Sequence, residues 1–340
     1  NGAVAWCERR LLARIHRYTL DRLRREIEPV STADYRRFLA AWQHTAAEYR
    51  LDGVAGVLTV IEQLAGVELA APVWEDEVLP ARVRGYRPEW LDELTASGTV
   101  AWARLWGAAQ SPVRRTPVSI VPRDDLEAWA ALAAPTARPD PGPLAQAVLA
   151  ALAKRGALFT RELGRLTSLT AHDLDEALGE LVASGRITCD SFAGLRSLIA
   201  PVTRPAPTSG RWSVLAASDE PADTTSTPAE FAARRLLRRY GVIFRRTLLR
   251  ERLPVPWRDI ARACRHLEAR GEIRGGRFVA GHDGEQYAHP GAVELLRRIR
   301  KNPIAIPTLA LTDPSCFGDA EREFIPEPNR AQPEAVAFTP

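Results

Sequence analysis

Leu94-Thr-Ala-Ser-Gly98-Thr-Val100, Leu181-Val-Ala-Ser-Gly185-Arg-Ile187 and Leu267-Glu-Ala-Arg-Gly271-Glu-Ile273 are three copies of one pattern, Leu-x-x-x-Gly-x-(Val/Ile). The repeated leucines stand 87 and 86 residues apart. Each copy closes a stretch of helical periodicity. Glycine is the residue that ends a helix in a left-handed turn, and the β-branched residue after it opens a strand. A near-constant period, longer than that of solenoid repeats, predicts an array of small domains.

Working outward from the middle copy, 145–154 places Val148, Leu149 and Leu152 at helical spacing, and Gly156 stops that helix. Thr160 is placed to cap a short second helix over 161–166. Thr170 is placed to cap a third, on which Leu174, Leu178, Leu181 and Val182 share a face. Strands are expected at 186–189 and 195–199 around a turn at 191–194. The third copy repeats this with a helix over 231–240, a stop at Gly241, a helix over 257–270 after Pro256, and a hairpin of 272–274 with 277–280 across Gly275-Gly276. The first copy is more diverged, with helices over 54–64, 74–79 and 88–96 and a strand at 99–105. An aromatic precedes each repeat leucine by a similar interval: Trp74 by 20, Phe159 by 22 and Phe244 by 23. Three short helices followed by a hairpin is the winged-helix plan, so the expected class is mainly α with small β (α+β).

The expected organisation is an arginine-rich helical segment at 1–50, winged-helix modules at 51–134, 144–200 and 231–301, a linker with one strand at 201–230, and an irregular tail at 302–340. Proline-rich linkers fill 135–143 and 201–210, and an Asp/Ser/Thr/Pro-rich loop fills 219–228. Runs at 118–121, 211–215 and 304–311 are strand-like and could pair into an accessory sheet or small barrel.

The charge is segregated. Of 46 basic residues only Lys154 and Lys301 are lysines. Residues 1–50 carry a net +4 and residues 230–301 a net +10, whereas the whole chain is only +4. The rest of the chain is therefore acidic, and the two ends offer basic surface to an anionic partner. Cys7, Cys189, Cys264 and Cys316 are far apart, and no metal site is expected. No apolar run is long enough for a membrane helix and no secretory signal leads the chain, which predicts a cytoplasmic protein with no membrane partner. A sequence that opens on Asn1 and contains no Met is expected to be a piece of something longer.

From Trp6 to about Ile27 a long helix is expected, with Arg9, Arg10, Arg14, Arg17, Arg24 and Arg25 over much of its surface. Guanidinium groups in this density suit phosphate contacts. Pro29 ends that helix, and Ser31 with Asp34 starts the next in a capping-box-like arrangement. In the third module Arg258, Arg262, Arg265 and Arg270 lie on the third helix, making it the better groove-facing element. The equivalent helix of the second module carries Asp173, Asp175, Glu176 and Glu180, which argues for packing on protein.

The run Trp6-Cys7-Glu8-Arg9-Arg10-Leu11-Leu12-Ala13-Arg14-Ile15-His16-Arg17-Tyr18-Thr19, with Phe38-Leu39-Ala40-Ala41-Trp42-Gln43-His44, resembles the Lhr-type (large helicase-related) DNA helicases, in the region after their two RecA-like motor lobes. The run from Arg270 to Val279, with Gly284-Glu285-Gln286, resembles a later part of that region, and the likeness covers residues 4–300. The resemblance implies ATP-driven 3′-to-5′ movement on single-stranded DNA and unwinding of DNA and RNA:DNA duplexes, with ATP and Mg held by the motor lobes. It further implies that Trp42 stacks on a base of the tracking strand, flanked by Arg36, Arg37, Gln43 and His44. An indole can hold any base by its π face.

This chain has no Gly-x-x-x-x-Gly-Lys-(Ser/Thr) loop, and Asp76-Glu77 follows no buried strand, so no cofactor is expected here and no ATP hydrolysis by this segment alone. Two other readings stay open. Tandem winged helices with a small barrel also resemble alkylpurine DNA glycosylases, for which Asp283 and Gln286, beside Gly281 and Gly284, are the cluster to nominate. Winged helices also serve as scaffolds that dock neighbouring domains.

Overall fold

A computed structural model describes residues 8–11, 14–15, 18, 27–106, 112–133, 140–199, 210–215, 227–309 and 313–314. It gives the repeat a physical basis. Gly98, Gly185 and Gly271 have φ of 74°, 65° and 77°, the left-handed region that side chains disfavour. In the second and third copies the residue after the glycine donates its N–H to the carbonyl of the repeat leucine, Arg186 to Leu181 at 2.9 Å and Glu272 to Leu267 at 3.0 Å. That is the six-to-one bond which closes a helix end. The three leucines and Val100, Ile187 and Ile273 are all buried, so each copy carries the chain from a core helix into a core strand.

Helix α1 (Thr32–Trp42) begins as expected, with Ser31 Oγ accepting from Asp34 N at 3.1 Å. The first module follows: β1 (Leu51–Asp52), α2 (Gly53–Leu64), β2 (Leu69–Ala70) and the helical run α3 over 71–82, which contains a π-helical turn, Trp74–Val78. Asp76 and Glu77 lie on that turn. β3 (Val83–Arg84) pairs in parallel with β1, and α4 (Pro88–Ala96), β4 (Val100–Ala103), β5 (Pro117–Pro122) and α5 (Leu126–Ala133) complete the module. The second module is α6 (Pro143–Arg155), β6 (Leu158–Phe159), α7 (Thr160–Thr167), α8 (Ala171–Ala183), β7 (Ile187–Cys189), α9 (Phe192–Ile199) and β8 (Arg211–Val214). The third is α10 (Pro228–Tyr240), β9 (Val242–Ile243), a 3-10 turn Arg245–Arg250, α11 (Trp257–Ala269), β10 (Arg274–Gly276), β11 (Gln286–Ala288) and α12 (Pro290–Lys301).

The three modules share one sheet plan. In each, the last strand lies in the middle, between the short strand after the first helix and the strand after the repeat glycine: β2-β5-β4, β6-β8-β7 and β9-β11-β10. Every pairing within these three sheets is antiparallel.

This plan corrects three expectations. The second module's wing does not turn at 191–194: residues 195–199 lie in α9, and the partner of β7 is β8, with Ile187 opposite Val214. Gly275-Gly276 is not the hairpin turn but part of β10, paired with Tyr287 and Gln286. The runs at 118–121 and 211–215 build no shared barrel, because β5 and β8 are each the central strand of their own module, and 304–309 form no strand.

The modules are fused. One core runs through the first and second, where Trp102 and Trp212 meet edge to face at 6.1 Å and Thr188 donates to the Trp102 carbonyl. Residues 30–42 pack into the third module. Val30 bridges Val279 in parallel, Tyr35 Oη donates to the Val242 carbonyl at 3.0 Å, and Phe38 is buried in that core. The described tail residues, 302–309 and 313–314, form no helix or strand, but one of them is fastened. Asp313 is buried against the fully buried Arg82 of α3, two oxygens to two nitrogens at 2.7 Å each.

Candidate nucleic-acid interface

Helix α11 starts after Pro256, whose fixed φ suits a helix entrance. Ile260, Cys264 and Leu267 face the core, and burial pushes the Cys264 thiol up to about 12, with the nearby Glu285 and Glu268 carboxylates adding to the shift; it is a packing group. Arg258, Arg262 and Arg265 stand on the opposite face, with side chains 83%, 67% and 51% exposed. Their ion pairs are loose: Asp259 is 3.7 Å from both Arg258 and Arg262, and Glu285 is 3.3 Å from Arg265. Exposed pairs of this kind contribute little, so a phosphate can take these guanidinium groups over.

Aligning the modules on the repeat leucine shows how unequal they are. The positions of Arg258, Arg262 and Arg265 are held by His172, Glu176 and Gly179 in the second module, and by Gly85, Glu89 and Asp92 in the first. Each of those faces is covered at one of the three positions, while Gly85, Glu89, His172 and Glu176 are exposed. A Cβ on Gly179 would lie 3.6 Å from Val113 of the first module, and Asp92 is held by Arg196 of α9, which also binds Glu75 at 2.7 Å. The first two modules read each other.

Around α11 the basic surface extends to exposed Arg274 and Arg277 at the wing and to Arg245 and Arg246 on the 3-10 turn, for which no ion pair is found among the described residues. Sequence reasoning counted these four in the local charge but did not single them out, because nothing local says which arginines share a side.

The α1 group sits differently from its sequence-based reading. Trp42 is half-buried, stacked on Phe38 at 5.6 Å, tilted against His289 at 5.6 Å, and its Nε1 donates to the Arg238 carbonyl at 2.9 Å. Gln43 is fully buried, with Nε2 donating to the Arg239 carbonyl at 2.9 Å, so it cannot meet a strand here. His44 is half-buried in a left-handed backbone, 3.0 Å from the Tyr49 carbonyl through Nδ1, and burial lowers its pKa, although that hydrogen bond opposes the shift. Arg37 pairs with Asp34 at 2.9 Å. Trp42 and Gln43 thus join α1 to the end of α10. Arg10 and Arg14 are helical and exposed, and Arg17 lies outside the described residues. The Asp283–Gln286 cluster is not a pocket of free polar groups. Gln286 is buried, accepting from Phe278 N and Val279 N and donating to the Val279 and His282 carbonyls, which staples the loop between β10 and β11. Among the described residues no group of three or more His, Cys, Asp or Glu could hold a metal ion, and no helix is long and apolar enough to cross a membrane.

Family models for the third and the fourth winged-helix domain of the large helicase-related protein match residues 30–123 and 221–306. The chain belongs to the large helicase-related (Lhr) family. A Mycolicibacterium smegmatis relative, named Lhr helicase/probable uracil glycosylase, is 34% identical over 327 residues, covering 87% of this chain and 21% of that protein. The Escherichia coli Lhr helicase/uracil glycosylase is 32% identical over 345 residues, covering 86% and 22%. The chain thus spans about a fifth of the length of these Lhr proteins. The first Lhr match starts at residue 30, where the structure also begins its parallel bridge to Val279.

Proposed function

We propose that this chain is a DNA-guiding accessory region of an ATP-dependent helicase, and that the third module does the holding. The observation that carries this is the exposed, loosely paired triad Arg258, Arg262 and Arg265 on a helix whose counterparts carry no basic residue but His172 at these positions. Arg10, Arg14 and Arg37 extend the same electrostatic character toward the N-terminal side. Trp42 acts as the pin that sets α1 against α10 and positions this surface, with its outer edge left for a strand. The finer reading is a parent that moves 3′ to 5′ on single-stranded DNA, opens DNA and RNA:DNA duplexes in repair, and holds ATP and Mg in RecA-like lobes outside this chain. The test is binding of mixed-sequence DNA by fluorescence anisotropy across salt. A steep, sequence-indifferent salt dependence that flattens on Arg258→Ala, Arg262→Ala and Arg265→Ala supports the reading, since each lost phosphate contact removes about 0.9 from the log–log slope. An unchanged slope overturns it.

The names of both relatives favour a second reading, base excision from uracil-containing DNA. In this chain the nominated Gln286 is spent on the loop, leaving Asp283 alone. Uracil release by this chain that disappears in Asp283→Asn would favour that reading over ours.

A further inference from the structure

We infer that Leu249 is an apolar wedge that presses into a base step of duplex DNA held by the third module; this rests on the proposed DNA-guiding role. Leu249 is 81% exposed, beyond any other large apolar residue described. Single exposed leucines are common and mean little. Three further observations set this one apart.

Its mount is rigid. Thr247, two residues before it, is buried, and its hydroxyl donates to the Phe244 carbonyl at 2.6 Å. Glu251, two residues after it, donates its N–H to the Leu248 carbonyl at 3.0 Å. The Glu251 carboxylate is buried between Arg239 and the Tyr240 hydroxyl, the latter at 2.6 Å. The turn that carries Leu249 is therefore closed locally on one side, at Phe244, and bolted to α10 on the other.

Its surroundings are cationic. Arg245, Arg246, Arg250 and Arg252 are exposed along the same eight residues. This turn stands where the second helix of a helix-turn-helix unit lies, the element that crosses the phosphate backbone beside the groove-entering helix. Apolar side chains flanked by basic ones are what duplex-kinking proteins insert between base pairs.

Its equivalents differ. Counting from the aromatic landmark of each module, the position of Leu249 is Leu79 in the first, fully buried, and Gly164 in the second. At this aligned position, among the three modules, an outward leucine occurs in the one whose third helix carries the arginine face. The second module's own exposed leucine on its second helix, Leu166, is 49% exposed and stands beside an acidic third helix.

The test uses this chain with short duplexes in which a single 2-aminopurine, quenched while stacked, is moved step by step through the bound region. Binding is followed separately by anisotropy of an end label. A several-fold rise in 2-aminopurine emission at one step is expected, lost in Leu249→Ala and kept in Leu249→Phe. The affinity of Leu249→Ala should fall less than about tenfold, because phosphate contacts carry most of the binding. Binding with no rise at any step, or an equal rise in Leu249→Ala, overturns the wedge and leaves the DNA-guiding role standing. Absence of duplex binding at low salt overturns both. Leu249 is solvated, so thermal melting of the variant should match the parent.

Discussion

Helices α8 and α11 are both 13 residues long, occupy the same place in their modules, and bury the same rows, Leu174, Leu178 and Leu181 in one, Ile260, Cys264 and Leu267 in the other. Their outer faces differ in charge and pairing. On α8 two of the four acids are structural: Asp173 supports the Thr170 cap, and Glu180 Oε1 accepts from Gly142 N at 2.6 Å at the start of α6. On α11 Arg258, Arg262 and Arg265 reach no firm partner, whereas Arg270 just past its end is held by Glu230 at 2.5 Å and Glu272 at 2.7 Å. A shared fold thus says where an outward face will be, and the committed or uncommitted state of its charges says what the face is for.

The comparison can be broken most forcefully at the joint behind α11. Arg239 is buried, paired with Glu251 and bonded to the Ala65 carbonyl of the first module. Arg239→Ala should cost about 3–5 kcal/mol in a denaturant titration, because it strands a buried carboxylate. Next in size is binding. Replacing Arg258, Arg262 and Arg265 together by Ala should weaken DNA affinity on the order of 100-fold at low salt, whereas Glu176→Ala on α8 should leave it within about twofold. Equal losses at the two helices would show that both faces meet DNA.

The repeat glycines sharpen the comparison. Gly98→Ala and Gly271→Ala meet open space and should cost about 1 kcal/mol for the left-handed backbone alone. Gly185→Ala should cost more, since its Cβ would lie 2.7 Å from the Arg104 carbonyl across the joint of the first two modules. The smallest effect is one of pH. His289 caps α12, accepting from Gly291 N through Nδ1, and burial, with Arg238 nearby, lowers its pKa. The neutral form is the folded one. Its contribution is present above the ordinary histidine pKa and is lost as pH falls through the lowered folded value. The melting temperature should therefore drop modestly from pH 7 to 5.5, and less so in His289→Asn.

Most of the helices were legible from periodicity and caps, and the repeat marked each place where a helix hands over to its strand, because a helix end closed by a left-handed glycine is a local event. What was not legible was non-local. The second wing strand of the middle module comes 22 residues after β7 ends, beyond a helix no turn signal announced. Gly275-Gly276 has turn composition, yet Gly275 is small because β10 passes the Glu268 carboxylate, which accepts from Gly275 N at 3.0 Å, and Gly276 because Ile27 lies against it. The landmark aromatics look alike in sequence, while Trp74 and Phe244 are buried and Phe159 is half exposed. Trp42 and Gln43 have the chemistry of a strand-binding pair, but their hydrogen bonds go to residues 196 positions away. No reading of neighbours in the chain would find that.

Residues 30–42 are stitched into the last module, and Asp313 is locked onto Arg82 of the first. Mechanically, this crossed fastening makes the chain a buckle. A pull between residue 30 and residue 313 cannot peel the modules off one at a time. It loads both closures in shear before any winged helix feels tension, so the assembly should yield in a single large rupture. If flanking domains turn against each other, this region will pass the motion on as a rigid block.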